Sequence, residues 1–209
     1  MAIKKKKRGF DILVFLFVIA IALGSYSSYS RYTSSVAGTS SIDVAAWNVR
    51  VNTEDITNTA NLSQNISFTP ISSQYVAEGK MAPSVGGYFD IIIDTTNAEV
   101  ASTYTINIDV TDLEDLTEFS VAGYEIFDAG DVIPSTVTEI PSDLESATTR
   151  TANNRTYSVI SSGVITLDSN GKGSSETVRV YLEWSENGTN PSSSNVQIPV
   201  NIEVEQYFG

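Results

Sequence analysis

The chain has 209 residues and a formal charge of −13, with neither cysteine nor histidine. Without cysteine no disulfide can staple the fold. Without histidine the commonest general base, the commonest zinc ligand and the Ser-His-Asp triad are absent together. The negative charge makes nucleic acid and anionic membrane surfaces repulsive partners.

The chain opens on Lys4-Lys5-Lys6-Lys7-Arg8, an apolar run from Ile12 to Gly24, and then a stretch of small and polar residues. A basic cluster, a short apolar core and small residues are the parts of a secretory signal. The apolar run has 13 residues, short of the roughly 20 that span a bilayer. Residues 1–30 therefore read as a cleavable signal peptide, with a retained membrane anchor through residues 10–29 as the second reading. Small residues allow cleavage after Ala22, Gly24, Ser27 or Ser30. Removing residues 1–30 takes five basic residues but only Asp11 among the acids, leaving seven basic against 24 acidic residues, a net of −17. That charge keeps an exported protein soluble.

Arg8-Gly9-Phe10 before an apolar stretch also fits a pilin-type leader. The fifth residue after such a cut, however, is Val14 rather than glutamate, and the apolar run gives way at Ser25. A membrane-anchored or pilin-like surface protein is the alternative this leaves open.

Residues 31–41 continue a Ser/Tyr-rich segment in which Tyr26, Tyr29 and Tyr32 recur every third residue. That period suits neither a strand nor an amphipathic helix. The segment reads as a linker, or as an arm able to pair with the exposed sheet edge of a neighbouring subunit. In the second case Arg31, Tyr32, Val36 and Ile42 form the assembly arm, and Val36 and Ile42 supply alternate apolar side chains.

From residue 42 onward apolar and polar residues alternate with period two, the mark of half-buried strands. Ala45, Trp47, Val49 and Val51 share one strand face. Leu62, Gln64, Ile66 and Phe68 form a second strand, halted by Pro70. Tyr88–Asp94 is a nearly continuous apolar run that implies burial on both faces or a crowded core. Tyr104, Ile106, Ile108 and Val110 alternate cleanly, and Phe119–Phe127 and Tyr157–Leu167 are further strands. Val178, Val180, Leu182 and Trp184 line one face, as do Val196, Ile198, Val200, Ile202 and Val204. Pro199 within the last strand predicts a free edge or a bulge on its side.

Asp112–Thr117 has the composition of a helical turn, and Glu139–Asn154 reads as a long polar loop with one helical turn at Ser142–Ser146. Asn170-Gly171 is the strongest hairpin signal, because both residue types tolerate positive φ. About eight strands with such turns predict one all-β domain over residues 42–209, an antiparallel β-sandwich or jelly roll preceded by a hydrophobic signal helix.

No arrangement of residues points to an enzyme, and no catalytic, metal or cofactor-binding residue is assigned. Asp90 and Asp94 share a strand face, and Asp109, Asp112, Glu114, Asp115 and Glu118 cluster near a turn, so none sets a spacing across a cleft. Asp168-Ser-Asn170-Gly-Lys-Gly173 begins like a calcium loop but meets Arg179 where the twelfth position requires a carboxylate. It reads as a turn. Trp47 and Trp184 lie on apolar strand faces as core residues.

Tyr29-Ser-Arg-Tyr-Thr-Ser, Val44–Asn52, the Ala82-Pro-Ser-Val-Gly-Gly-Tyr-Phe-Asp run and Val178-Arg-Val-Tyr-Leu-Glu-Trp184 resemble the exported surface proteins of the TasA and camelysin group of Gram-positive bacteria. The resemblance implies a short signal removed near Ser30, a jelly-roll domain, and a segment after the cut that inserts into the next subunit of a biofilm-matrix fibre. It lacks the Gly-Thr-Leu-Asp-Leu segment that often opens such domains, and Ser41-Ile-Asp-Val-Ala stands in its place. The metalloprotease activity described for camelysin is not carried over to a chain without histidine. The expectation is a secreted or cell-surface structural protein that polymerises with itself and contacts cell-wall or matrix components.

Overall fold

The computed structural model describes residues 44–80, 82–109, 119–186 and 197–209. The signal segment with its cleavage candidates, the arm residues Arg31, Tyr32, Val36 and Ile42, and the Asp112–Thr117 turn lie outside the described residues. So do Val110 and Val196.

The domain is all-β and contains two antiparallel sheets. Its strands are β1 (Arg50–Val51), β2 (Glu54–Asp55), β3 (Asn61–Ser67), β4 (Thr69–Pro70), β5 (Gly87–Asp94), β6 (Ser102–Asp109), β7 (Phe119–Phe127), β8 (Thr148–Ala152), β9 (Arg155–Ile165), β10 (Ser175–Trp184) and β11 (Gln197–Gln206). The first sheet runs β2-β1-β5-β10-β7, with β4 also on β5, and the second runs β3-β11-β6-β9-β8. The chain changes sheet at most connections, so sequence neighbours pair only in β1–β2, β4–β5 and β8–β9.

Period-two alternation places one side of each long strand in a shared core. Phe89, Ile91 and Ile93 of β5 and Val178, Val180, Leu182 and Trp184 of β10 come from the first sheet. They meet Tyr104, Ile106 and Ile108 of β6 and Ile198, Val200, Ile202 and Val204 of β11. Fully burying each such side chain is worth about 1.5–3 kcal/mol, and this cluster takes the place of disulfides. Trp184 closes one end of it, 5.1 Å from the Phe119 ring.

Several elements differ from the sequence reading. Val49 and Val51 are buried and Trp47 packs on the core, yet the regular strand is only Arg50–Val51. Asn52 and Thr53 take positive φ of 48° and 76° and reverse the chain into β2, a two-residue hairpin turn. The Glu139–Asn154 loop contains a strand, β8, exposed at every residue. Both its faces meet water, so no alternation betrays it. Asn153 and Asn154, at φ 52° and 61°, turn it back onto β9. No helical turn forms at Ser142–Ser146.

Asn170-Gly171 is not a β-hairpin. Its flanking strands β9 and β10 belong to different sheets, and only Gly171 has positive φ. The Asp168 carboxylate instead accepts the backbone N–H groups of Asn170 (2.8 Å) and Lys172 (2.9 Å). Pro199 is paired with β3, but the β6 ladder begins only at Val200. The proline therefore sits where its strand is paired on one side, as expected.

The outer face of β5 is covered at one end only. Tyr88 is buried with Tyr181 and Ile71 beneath Val137, Ile140 and Leu144 of the segment between β7 and β8. Ile92, farther along, is 43% exposed.

Candidate functional site

Three features outside the main core carry chemistry. The first is the outer edge of the second sheet. β3 pairs with β11 along all seven of its residues and has no partner on its other side among the described residues. Free edges are normally blunted by charge, proline, a bulge or shortness. Asn61-Leu-Ser-Gln-Asn-Ile-Ser67 has neither charge nor proline, and its ladder is unbroken. At the opposite edge β8 is shorter and carries Arg150. In the first sheet, the edge strand β7 is bridged at Tyr124 by Glu145 through reciprocal backbone hydrogen bonds of 3.0 and 3.1 Å, and β2 has two residues. β4, which pairs only with β5, has two residues, one of them proline, so β3 is the least protected of these edges.

The N-terminal end of the domain is tied down at Ala46. Its N–H donates to Glu99 Oε2 at 2.9 Å and its carbonyl accepts the Glu99 N–H at 2.7 Å. Lys172 Nζ holds the other carboxylate oxygen at 2.7 Å. This ammonium, with the Ala46 amide, keeps the Glu99 carboxyl below its ordinary pKa. Val44, two residues earlier, is 89% exposed.

The second feature is a buried ionic network on the outer face of the first sheet. Arg179 and Asp90 are direct cross-strand partners on β10 and β5. The guanidinium donates from Nε to Asp90 Oδ1 (2.7 Å), from NH2 to Oδ2 (2.8 Å) and from NH1 to the Pro134 carbonyl (2.8 Å). It lies over the Tyr88 ring, 4.3 Å from the centroid. The paired carboxylate raises the Arg179 pKa further, so the side chain is a permanent cation. Beside it the Tyr181 hydroxyl donates to Glu125 Oε2 at 2.6 Å, and burial with that carboxylate pushes the phenol pKa up. From sequence, Arg179 stands only where a calcium loop needs a carboxylate, and Asp90 shares a strand face with Asp94 and sets no spacing across a cleft. The signal available was Arg179, the one cation in either strand, amid Val178 and Val180, and Asp90 between Phe89 and Ile91. This network clamps the segment between β7 and β8 onto the sheet and presents no open chemistry.

The third feature is a groove of about 450 Å³ on the second sheet, lined by residues of β3, β6, β9 and β11. Ser63 donates to Asn201 Oδ1 at 2.7 Å, Arg150 to Asn107 Oδ1 at 2.8 Å, and Arg155 to Asp109 Oδ2 at 2.8 Å. Gln64, Asn65, Tyr157, Pro199 and Val200 complete its lining. Nothing in the strand pattern singled these residues out, because polar residues on outward positions are the norm for a half-buried sheet.

Among the described residues no group of three or more Asp, Glu, His or Cys is placed to hold a metal ion. No protein-family model, curated protein or solved structure matches the chain.

Proposed function

We propose that the chain is an exported structural protein of the cell surface or biofilm matrix, a fibre subunit that assembles by donor-strand addition. Residues 31–41 of one copy lie along β3 of the next. The observation that carries this reading is the β3 edge: seven residues, uncharged, free of proline and open on one side among the described residues. Strand addition draws affinity from backbone hydrogen bonds and specificity from alternate side chains, here Val36 within the segment and Ile42 directly after it. Each new backbone bond is worth about 1 kcal/mol net, and a single short strand therefore gives a reversible contact that many copies reinforce. The chain is pinned from Ala46 onward, so an arm leaving before that point can engage a neighbour without unravelling its own domain.

Deleting residues 31–41 tests the proposal, with particle size followed by light scattering and electron microscopy. Assembly is expected to stop while the domain stays folded. Asn65→Lys, which places a charge on the edge strand, is expected to weaken assembly in the same way. Assemblies that persist through both changes would overturn the reading. The second reading, a surface adhesin or binding module, is favoured by the polar groove on the second sheet and predicts a monomer.

A further inference from the structure

We propose that the groove on the second sheet is a binding site for a neutral oligosaccharide. Its volume of about 450 Å³ lies within the range of small-ligand sites. Its lining differs from the usual apolar pocket: Ser63, Asn65, Asn107, Asn201 and the Asp109–Arg155 pair surround one aromatic ring, Tyr157.

Each part of that lining narrows the ligand. Amides and hydroxyls donate and accept, and the paired carboxylate adds acceptors, a set that matches neighbouring sugar hydroxyls. Asn107 Oδ1 is taken by Arg150, which fixes the amide and leaves its Nδ2 as the donor. Asn201 is fixed in the same way, between Ser63 (2.7 Å) and Glu203 (3.2 Å). Such pre-set polar groups lose little freedom on binding. The Arg150 guanidinium lies over the Tyr157 ring, 5.4 Å from its centroid, and the rest of the ring's surface is the groove's aromatic contact for the C–H face of a sugar.

Other ligand classes fit less well. Both arginines bordering the groove are already engaged, Arg155 by a carboxylate and Arg150 by an amide. Seven basic against 24 acidic residues beyond position 30 oppose an anionic ligand. A peptide would need side-chain pockets or a strand edge, yet Pro199 and Val200 are the groove's aliphatic lining, and it opens on the face of the sheet. The inference does not depend on whether copies assemble.

The test titrates the full chain with cellohexaose, maltohexaose and chitohexaose, using hexagalacturonate and a neutral hexapeptide as comparisons, and follows binding by saturation-transfer NMR and calorimetry. Saturable binding of at least one neutral hexasaccharide is expected. Tyr157→Ala should weaken it about tenfold, the loss of one good contact. Asn65→Ala, at an exposed position, should weaken it several-fold with an unchanged melting temperature, which separates recognition from folding. A chain lacking residues 31–41 should bind as before. Failure of all three neutral sugars to bind, preference for the anionic sugar or the peptide, or binding indifferent to both point variants would overturn the proposal.

Discussion

Removing either member of the Arg179–Asp90 pair is expected to be costly, and the two losses are expected to be unequal. The side chain of Arg179 is 3% exposed and that of Asp90 is 32% exposed. Orphaning one partner of a buried ion pair costs about 3–5 kcal/mol, because the remaining charge is left without compensation. Arg179→Met leaves Asp90, which water can reach, and keeps an apolar stem over Tyr88; about 3 kcal/mol is expected. Asp90→Ala leaves a guanidinium that cannot deprotonate and cannot rehydrate without moving the Pro134 segment. The upper end, about 4–5 kcal/mol, is expected there.

The double variant removes both charges and should cost clearly less than the sum of the single changes. Urea unfolding followed by tryptophan emission reads these values, since Trp184 is 2% exposed and reports directly on the core. In a domain of this size each kcal/mol shifts the melting temperature by about 2–4 °C. The reasoning fails if Asp90→Ala proves milder than Arg179→Met, or if the two losses simply add.

Three further changes probe other parts of the argument. Gly173→Ala would drive a Cβ into the Thr95 carbonyl, which is backbone and cannot yield; a loss of about 2–3 kcal/mol in urea unfolding is expected. Asn154 sits at φ 61° in the β8–β9 turn, so Asn154→Gly should leave stability unchanged or slightly raised, whereas Asn154→Val should lower it by about 1–2 kcal/mol. The third test separates two carboxylates whose pKa values are shifted in opposite directions. Burial raises the pKa of Glu176, against the hydrogen bond from Tyr104. Its contribution is therefore full below the unfolded pKa and is lost as pH rises through the folded value. Glu176→Gln should thus compare more favourably with the parent at pH 7 than at pH 4. Glu99 is depressed, so its contribution is lost as pH falls through its folded pKa, and the protection factor of the Ala46 amide, its exchange measured against the intrinsic rate at the same pH, should fall in acid.

The sheet interior was legible because burial on one face writes a period of two into the sequence. Phe119–Phe127 matches β7 end to end, and the faces assigned to β10 and β11 are the buried ones. What escaped was structure that leaves no such trace. β8 meets water on both sides, so Thr148-Thr-Arg-Thr-Ala152 carries no pattern to read. The turns at Asn52-Thr53 and Asn153-Asn154 lack glycine: three of their four positive φ values belong to asparagine, whose short polar side chain tolerates that region, and the fourth is the β-branched Thr53, which no turn rule selects. The more glycine-rich Asn170-Gly171 suggested a hairpin where the chain instead passes between sheets. A turn motif gives local geometry but does not say which strands it joins.

Site chemistry follows the same logic. Arg179 and Asp90 are 89 residues apart in sequence, and each alone reads as an outward charge on a strand. Pairing β5 with β10 converts them into one buried clamp, which is a statement about register rather than composition. The groove depends on register too, since Ser63 and Asn201 face each other only because β3 and β11 pair with those residues in line. Slipping β3 by one residue would turn Ser63 and Asn65 toward the core and Leu62 and Ile66 toward water. The core therefore fixes the groove. The edge that β3 offers to a neighbour and the groove beside it are products of one alignment, set by Leu62 and Ile66 rather than by the polar residues that either function would use.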